Sequence, residues 1–403
     1  MSSEPRRLLD GSVTSPAGFL AGALHAGIKS DPDKPDLVLL VSEQPCAVAA
    51  TFTNNRFAAA PVQLDRERVT SGRARAVVIN SGNANACTGD QGLENARQMA
   101  RWAAEKVGAS TEEVLVASTG VIGVQLPIGR IWDGLARLEV SRDGGLLAAR
   151  GIMTTDTRPK HLAVELLIDG TMVRLGGMSK GAGMIHPNMA TMLCFVTTDV
   201  AGESDYFQAA LERAVANSFN MITVDGDTST NDTCLLLANG ASDVRLDGRG
   251  PGAELFQRAL DEVAQYLARA IVADAEGAER TMRIEVRGAS SEGDARRAAR
   301  AVASSSLTKA ALHGADPNWG RILCAVGYSG ADLDPDLVEL WIGDVRLVRD
   351  GAPVDFDALA ASDAMKRDEV HIVVDLHQGS GSAISWGCEL TEAYVVENSA
   401  YTT

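Results

Sequence analysis

The sequence predicts an α/β protein rather than an all-helical or all-β one, because short apolar runs alternate with helical patterns along the whole chain. Residues 37–41, 77–79 and 114–116 are continuous apolar runs of strand length, and the last two lead directly into glycine-containing turns. Between them Ala96, Met99, Ala100, Ala103 and Val107 recur at helical spacing, which predicts an amphipathic helix over about 93–107 packed on a sheet. Asp169-Gly170 lies between apolar or alternating segments at 161–168 and 171–175, the signature of a tight hairpin. Further on, Phe207, Leu211 and Val215, then Leu255, Ala259, Leu260, Val263, Leu267 and Ile271, mark two more helices. Strands are expected at 283–286, 337–342 and 371–376. The Pro- and Gly-rich stretches 29–36 and 247–252 are short enough for surface loops, so composition alone marks no domain linker.

A chain of 403 residues exceeds what one core usually supports, about 250–300, and suits two substantial lobes. Hydrophobic residues at 45% and charged residues at 22% match a globular protein. The formal charge of −16 argues against nucleic-acid partners. Six dispersed cysteines form no CxxC pair and have no histidines at zinc-site spacing, so no metal is expected and the thiols read as reduced core residues. The N-terminus lacks a signal-peptide pattern and no run of about 18 apolar residues occurs, which implies a cytoplasmic protein without a membrane role.

Residues 180–199 give a glycine-rich approach followed by an apolar strand beginning near Thr191. The small residue Ala190 precedes that hydroxyl. In a strained, shielded junction, Thr191 Oγ can attack the Ala190 carbonyl, shift the acyl group from nitrogen to oxygen and leave an ester for water to hydrolyse. The freed α-amine titrates near about 7.7–8.0 and can take the hydroxyl proton, so one residue supplies nucleophile and base. Alone, an Ala-Thr pair before an apolar run is a weak signal and reads as an ordinary strand start.

The flanking sequence changes that. Lys-Gly-Ala-Gly-Met-Ile-His-Pro-Asn-Met-Ala-Thr-Met-Leu, from Lys180, resembles the signature of the ornithine acetyltransferase family, also called glutamate N-acetyltransferase, of arginine biosynthesis. Matching blocks follow in order over nearly the whole chain: Asn-Ser-Gly-Asn-Ala-Asn-Ala-Cys-Thr-Gly at 80–89, Ala-Ser-Thr-Gly-Val-Ile-Gly at 117–123, Met-Thr-Thr-Asp-Thr at 153–157, Asp-Gly-Asp-Thr-Ser-Thr-Asn-Asp at 225–232, Asp-Pro-Asn-Trp-Gly-Arg at 316–321 and Asn-Ser-Ala-Tyr-Thr-Thr at 398–403.

The resemblance implies stacked α/β lobes with a layered αββα core and N-terminal-nucleophile architecture. It implies self-cleavage into an N-terminal chain 1–190 and a C-terminal chain 191–403, which stay together as a heterotetramer of two α and two β chains. It implies acetyl transfer from N2-acetylornithine to glutamate through acetyl-Thr191, with Thr119 and Gly120 as the oxyanion hole. Substrate contacts carried over are Thr154, Lys180, Thr191, Glu276, Asn398 and Thr403. Adjacent Thr155 leaves the register of Thr154 open by one, and Asp274 and Glu279 compete with Glu276, beside which Ala275 and Arg280 stand where Gly and Lys are frequent in the family. Lys180 suits a carboxylate as a compact charge, and its bland reading is a solvated surface lysine. His186 reads as structural, because the threonine amine already supplies a base. The 316–321 block reads equally as a lining of the site and as pure structure. No cofactor is expected, and acetyl-CoA enters only as a substrate that some family members use. Alternatives are a specialised relative in secondary metabolism, an N-terminal-threonine amidohydrolase or aminopeptidase with water as acceptor, and a processed binding protein.

Overall fold

In the computed structural model, residues 4–186 and 192–400 are described. The organising element is one long strand, Leu37–Phe52. Its first part pairs with Phe19–Leu24 and Arg73–Asn83, and its second part with Thr233–Ala238. Between them the register shifts, from Val41 to Cys46, where Glu43, Gln44 and Pro45 are exposed. A bulge of this kind bends a strand and increases its twist. The nine-stranded sheet therefore turns a corner. Its order is Arg6–Arg7, Lys160–Ile168, Thr171–Lys180, Leu193–Thr198, Thr233–Ala238, Leu37–Phe52, Arg73–Asn83, Val114–Val121, with Phe19–Leu24 branching from the long strand.

Strand alternation then sorts side chains into three layers. Val38, Leu40, Val77, Ile79 and Leu115 from one half pack in a single cluster with Met178, Leu193, Phe195, Leu235 and Leu237 from the other. The opposite faces carry helices. Leu37, Leu39, Val78 and Val116 meet Ala96, Met99, Ala100 and Ala103 of the helix Gly89–Val107. Cys194, Val196 and Leu236 meet Phe207 and Leu211 of Ser204–Ala216, and Phe256, Leu260 and Val263 of Gly250–Val272. The result is helix, sheet, sheet, helix, the expected αββα arrangement.

A second lobe holds a six-stranded sheet in the order Ala352–Pro353, Val345–Arg349, Glu339–Ile342, Glu369–Asp375, Thr281–Ala289, Gly381–Cys388. The helices Glu292–Ser304 and Trp319–Gly327 belong to its core, which runs without a break into the helix Gly250–Val272 of the first lobe.

The hairpin forms where expected, with Ile168 opposite Thr171 and Asp169 and Gly170 at φ 50° and 85°. Both central residues are left-handed, as a turn that matches strand twist requires. Three expectations need correction. The stretch 247–252 is only partly loop, since the helix Gly250–Val272 starts there with proline in its first turn. The strand expected from 337 begins at Glu339, because Pro335–Leu337 form a 3₁₀ turn. Cys46, Cys194, Cys234 and Cys388 are buried free thiols, but Cys87 and Cys324 are exposed. Among the described residues no helix is long and apolar enough to cross a membrane.

Phe195 is fully buried between the two halves of the bent sheet. Phe195→Ala is expected to cost about 3–5 kcal/mol, the range for deleting a core aromatic, read as a lowered denaturant midpoint.

Candidate active site

One cavity of about 1140 Å³ opens where the strands Val114–Val121, Thr171–Lys180 and Leu193–Thr198 end or begin. Its lining includes Thr119, Gly120, Thr154, Lys180, Glu276 and Asn398, together with Ile185 and Met192. The fold thus gathers into one wall system residues that are 279 positions apart in sequence (398 − 119). The predicted nucleophile Thr191, its neighbour Ala190 and the terminal Thr403 lie outside the described residues.

Thr119 and Gly120 stand near the end of a strand that pairs in parallel with Arg73–Asn83. Gly120 has φ 133°, and a Cβ there would come within 2.3 Å of the Gly82 carbonyl carbon, so both conformation and space demand glycine. Behind this pair three polar blocks interlock. Asn231 Nδ2 donates to the carbonyls of Ala84 and Ser118 at 2.6 and 2.8 Å, and Ser118 Oγ donates to Asn80 Oδ1 at 2.6 Å. The 80–89 and 225–232 blocks therefore fix the backbone on which Thr119 sits.

Lys180 is buried, not a solvated surface lysine, and its Nζ donates to Thr119 Oγ1 at 3.2 Å. That leaves the threonine hydroxyl proton free to point at a ligand. Burial pushes the Lys180 ammonium below the usual lysine range, Asp156 opposes this, and Lys160 adds to the lowering. Asp156 accepts from Lys160 Nζ at 2.6 Å, Gly181 N–H at 2.7 Å and Thr154 N–H at 3.0 Å. Burial alone would raise its carboxyl, but Lys180, Lys160 and the Gly181 amide outweigh it and hold it at about 2. Lys160 Nζ also reaches Asp274 Oδ2 at 2.6 Å, and Asp274 accepts from the Thr157 amide at 3.1 Å and from the Thr157 hydroxyl.

Asp274 thus has its oxygens engaged within the framework, while Glu276 also lines the cavity. Glu279 is exposed, outside the cavity lining, and its amide donates to Glu389. The Glu276 backbone donates to Ala182 O at 3.0 Å, and its carboxylate lies so close to Gly183 that a Cβ there would meet it at 2.3 Å. Asn398, on the C-terminal helix Glu392–Ala400, donates to Glu276 Oε2 at 2.9 Å. The helix Glu392–Ala400 therefore packs its Asn398 against the cavity wall. Thr155 lines the cavity too, so the one-residue ambiguity at Thr154 persists.

Two residues in the cavity were not singled out from sequence. Asp225 accepts from the Met184 and Ile185 amides at 2.5 and 2.9 Å, fixing the approach to the 187–191 stretch. Tyr394 lies beside it, its hydroxyl pushed well above the usual tyrosine range by burial and then by Asp225. His186 is held between Thr223 Oγ1 and Arg300 Nη2, both at 3.1 Å, and burial followed by Arg300 lowers its pKa. The 316–321 block does not line the cavity. Asn318 caps the helix Trp319–Gly327, and the block borders a separate depression with Phe356 and Ala358.

A bent αββα core with a charged cavity at its strand ends makes this a mixed α/β protein with a candidate active site. The ArgJ family model matches residues 20–403, and the chain belongs to that family. It is 51% identical over 399 residues to the arginine biosynthesis bifunctional protein ArgJ of Symbiobacterium thermophilum, covering 98% of this chain and 99% of the relative. It is 47% identical over 405 residues to the protein of the same name from Dehalococcoides mccartyi, over 100% of both. A crystal structure of ArgJ from Bacillus halodurans superposes with a TM-score of 0.50 at 39% identity, covering 51% of this chain and 98% of that one. The protein is accordingly an acyltransferase of arginine biosynthesis.

Because the folded-state pKa of Asp156 is depressed, its contribution to stability is present above the ordinary aspartate range and is lost as pH falls through about 2. Asp156→Asn should flatten the fall of the urea midpoint between about pH 4 and pH 2, relative to the unsubstituted protein.

Proposed function

We propose that the protein is a glutamate N-acetyltransferase that moves acetyl from N2-acetylornithine to glutamate through an acetyl-Thr191 intermediate, formed after the Ala190–Thr191 bond is cut. The observation that carries this reading is the Lys180–Thr119 hydrogen bond inside a cavity that also holds Ile185 and Met192, the described lining residues nearest the cleavage segment on either side. The Thr191 hydroxyl attacks the acetyl carbonyl, its proton passing to the Thr191 α-amine. Thr119 Oγ–H and the Gly120 amide stabilise the oxyanion, and collapse of the tetrahedral intermediate, with the proton passing from the Thr191 α-ammonium to the leaving nitrogen, releases ornithine. Glutamate's amine then takes the acetyl group by the reverse course.

Lys180 and Thr154 serve the substrate α-carboxylate, while Glu276, with Asn398 and Thr403, serves the distal ammonium of ornithine. The chains 1–190 and 191–403 remain associated, and two copies of each form the heterotetramer, acting in the cytoplasm. A solved relative whose chain is nearly fully matched yet covers only 51% of this one fits a cut near the middle. The relatives' description as bifunctional supports acetyl-CoA as a second acetyl donor, in the role of a substrate.

Intact mass and N-terminal sequencing should find two chains, the second starting at Thr191 and gaining an acetyl group from N2-acetylornithine. Thr191→Ala should give one uncut chain without transfer, and cleavage at the normal rate in this variant would sink the mechanism. Acetate released at the full rate without glutamate would instead make the protein a hydrolase. Thr119→Val is expected to lower kcat by about 10²–10³, the cost of one oxyanion donor. Deleting residues 398–403 should abolish transfer while thermal unfolding stays cooperative.

A further inference from the structure

The loop at 154–157 and the turn at 274–277 both line the cavity, joined directly by Thr157 to Asp274 and, deeper, through one buried side chain. Lys160, 2% exposed, places its Nζ 2.6 Å from Asp156 Oδ1 and 2.6 Å from Asp274 Oδ2. Asp156 holds the Thr154 amide, and Asp274 holds Thr157 and lies two residues before Glu276. Among the described residues, Lys180 Nζ makes one hydrogen bond, to Thr119, although Asp156 is close enough to act on its charge. An ammonium has three donors. The Lys160 contact occupies the Asp156 oxygen that also takes the Gly181 amide.

We propose that Lys160 is a positioning residue for amino-acid binding: it ties the two walls together and, by engaging Asp156, leaves Lys180 donors for a ligand carboxylate. This rests on the reading of the cavity as the amino-acid site. An uncharged side chain at 160 would remove the cation that the two aspartates share, leaving Asp274 to Thr157 and Asp156 to the Gly181 and Thr154 amides. The Thr154 and Glu276 walls would then be joined less tightly, and Asp156 would draw Lys180 away from the ligand. Lys180 faces Asp156, Lys160, Glu276 and Asp232, with Lys29 nearby. Removing the Lys160 charge takes away one cation and strengthens the hold of Asp156, so both changes favour protonated Lys180 at higher pH.

The test is calorimetric binding of ornithine to the cleaved holoprotein across pH. Lys160→Met should weaken binding by about 10–100-fold, the range for losing a charged hydrogen-bond network, and should move the alkaline loss of binding to higher pH. Asp274→Asn, nearly isosteric, should weaken binding while leaving the alkaline limb in place, because Asp156 and Lys160 remain. Unchanged binding in Lys160→Met overturns the proposal, as does weaker binding with an unmoved limb, which would reduce Lys160 to a structural role. Should Lys160→Met not fold, Asp274→Asn decides: full-strength binding there overturns the proposal. Failure of the unsubstituted protein to bind ornithine would instead sink the functional reading on which the proposal rests.

Discussion

The strand Leu193–Thr198 is hydrogen-bonded along both edges, and much of the site depends on that. It runs antiparallel to Thr171–Lys180 and parallel to Thr233–Ala238, with all six residues buried. Its ladders satisfy backbone groups that burial would otherwise make costly. A chain break just before it would therefore divide the polypeptide without dividing the sheet. The same register sets the chemistry in place. Lys180 stands opposite Leu193, as does Thr233, so the lysine and the 225–232 block arrive beside the start of this strand from its two sides.

Sequence was legible where structure is local. The helix around 93–107 and the Asp169-Gly170 hairpin form because spacing and turn chemistry act within a few residues. The corner in Leu37–Phe52 was not legible. Ser42-Glu43-Gln44-Pro45 interrupts an apolar run, which reads as the end of a strand, yet the strand continues and carries its second half to a new partner. Pairing beyond the interruption, of Cys46 and Ala47 with Arg73–Asn83 and of Ala47–Phe52 with Thr233–Ala238, decides that it is a bulge. The αββα layering was an expectation from resemblance, and in the structure it follows from this bend.

The site divides the same way. Thr119, Gly120, Lys180, Glu276 and Asn398 were named from motif blocks, and the fold brings all five to one cavity. Lys160 and Tyr394 were not named, and Asp156 was read only as part of a block. Nothing local separates a buried lysine in a strand from a solvated one. Lys160 becomes informative only when Asp156 and Asp274, 4 and 114 positions away, are seen to converge on it. Burial of charge is a tertiary property, so its signal lies in pairing rather than in spacing.

The charges explain why such pairing is worth building into a cavity. Two buried ammonium groups and two buried carboxylates would each be costly alone, and even paired they stabilise a fold little better than apolar residues would. What they supply is geometry. Lys160 consumes the charge of Asp274, so that carboxylate does not compete with Glu276, two residues on, for a cationic ligand. Asp156 opposes the effect of burial on Lys180 without hydrogen-bonding it, which on the proposed reading leaves the lysine to serve both Thr119 and an incoming carboxylate. Glu276 is half-buried and met by the Asn398 amide. A ligand with a carboxylate at one end and an ammonium at the other completes both halves at once, whereas one that lacks either end leaves a buried charge without its partner.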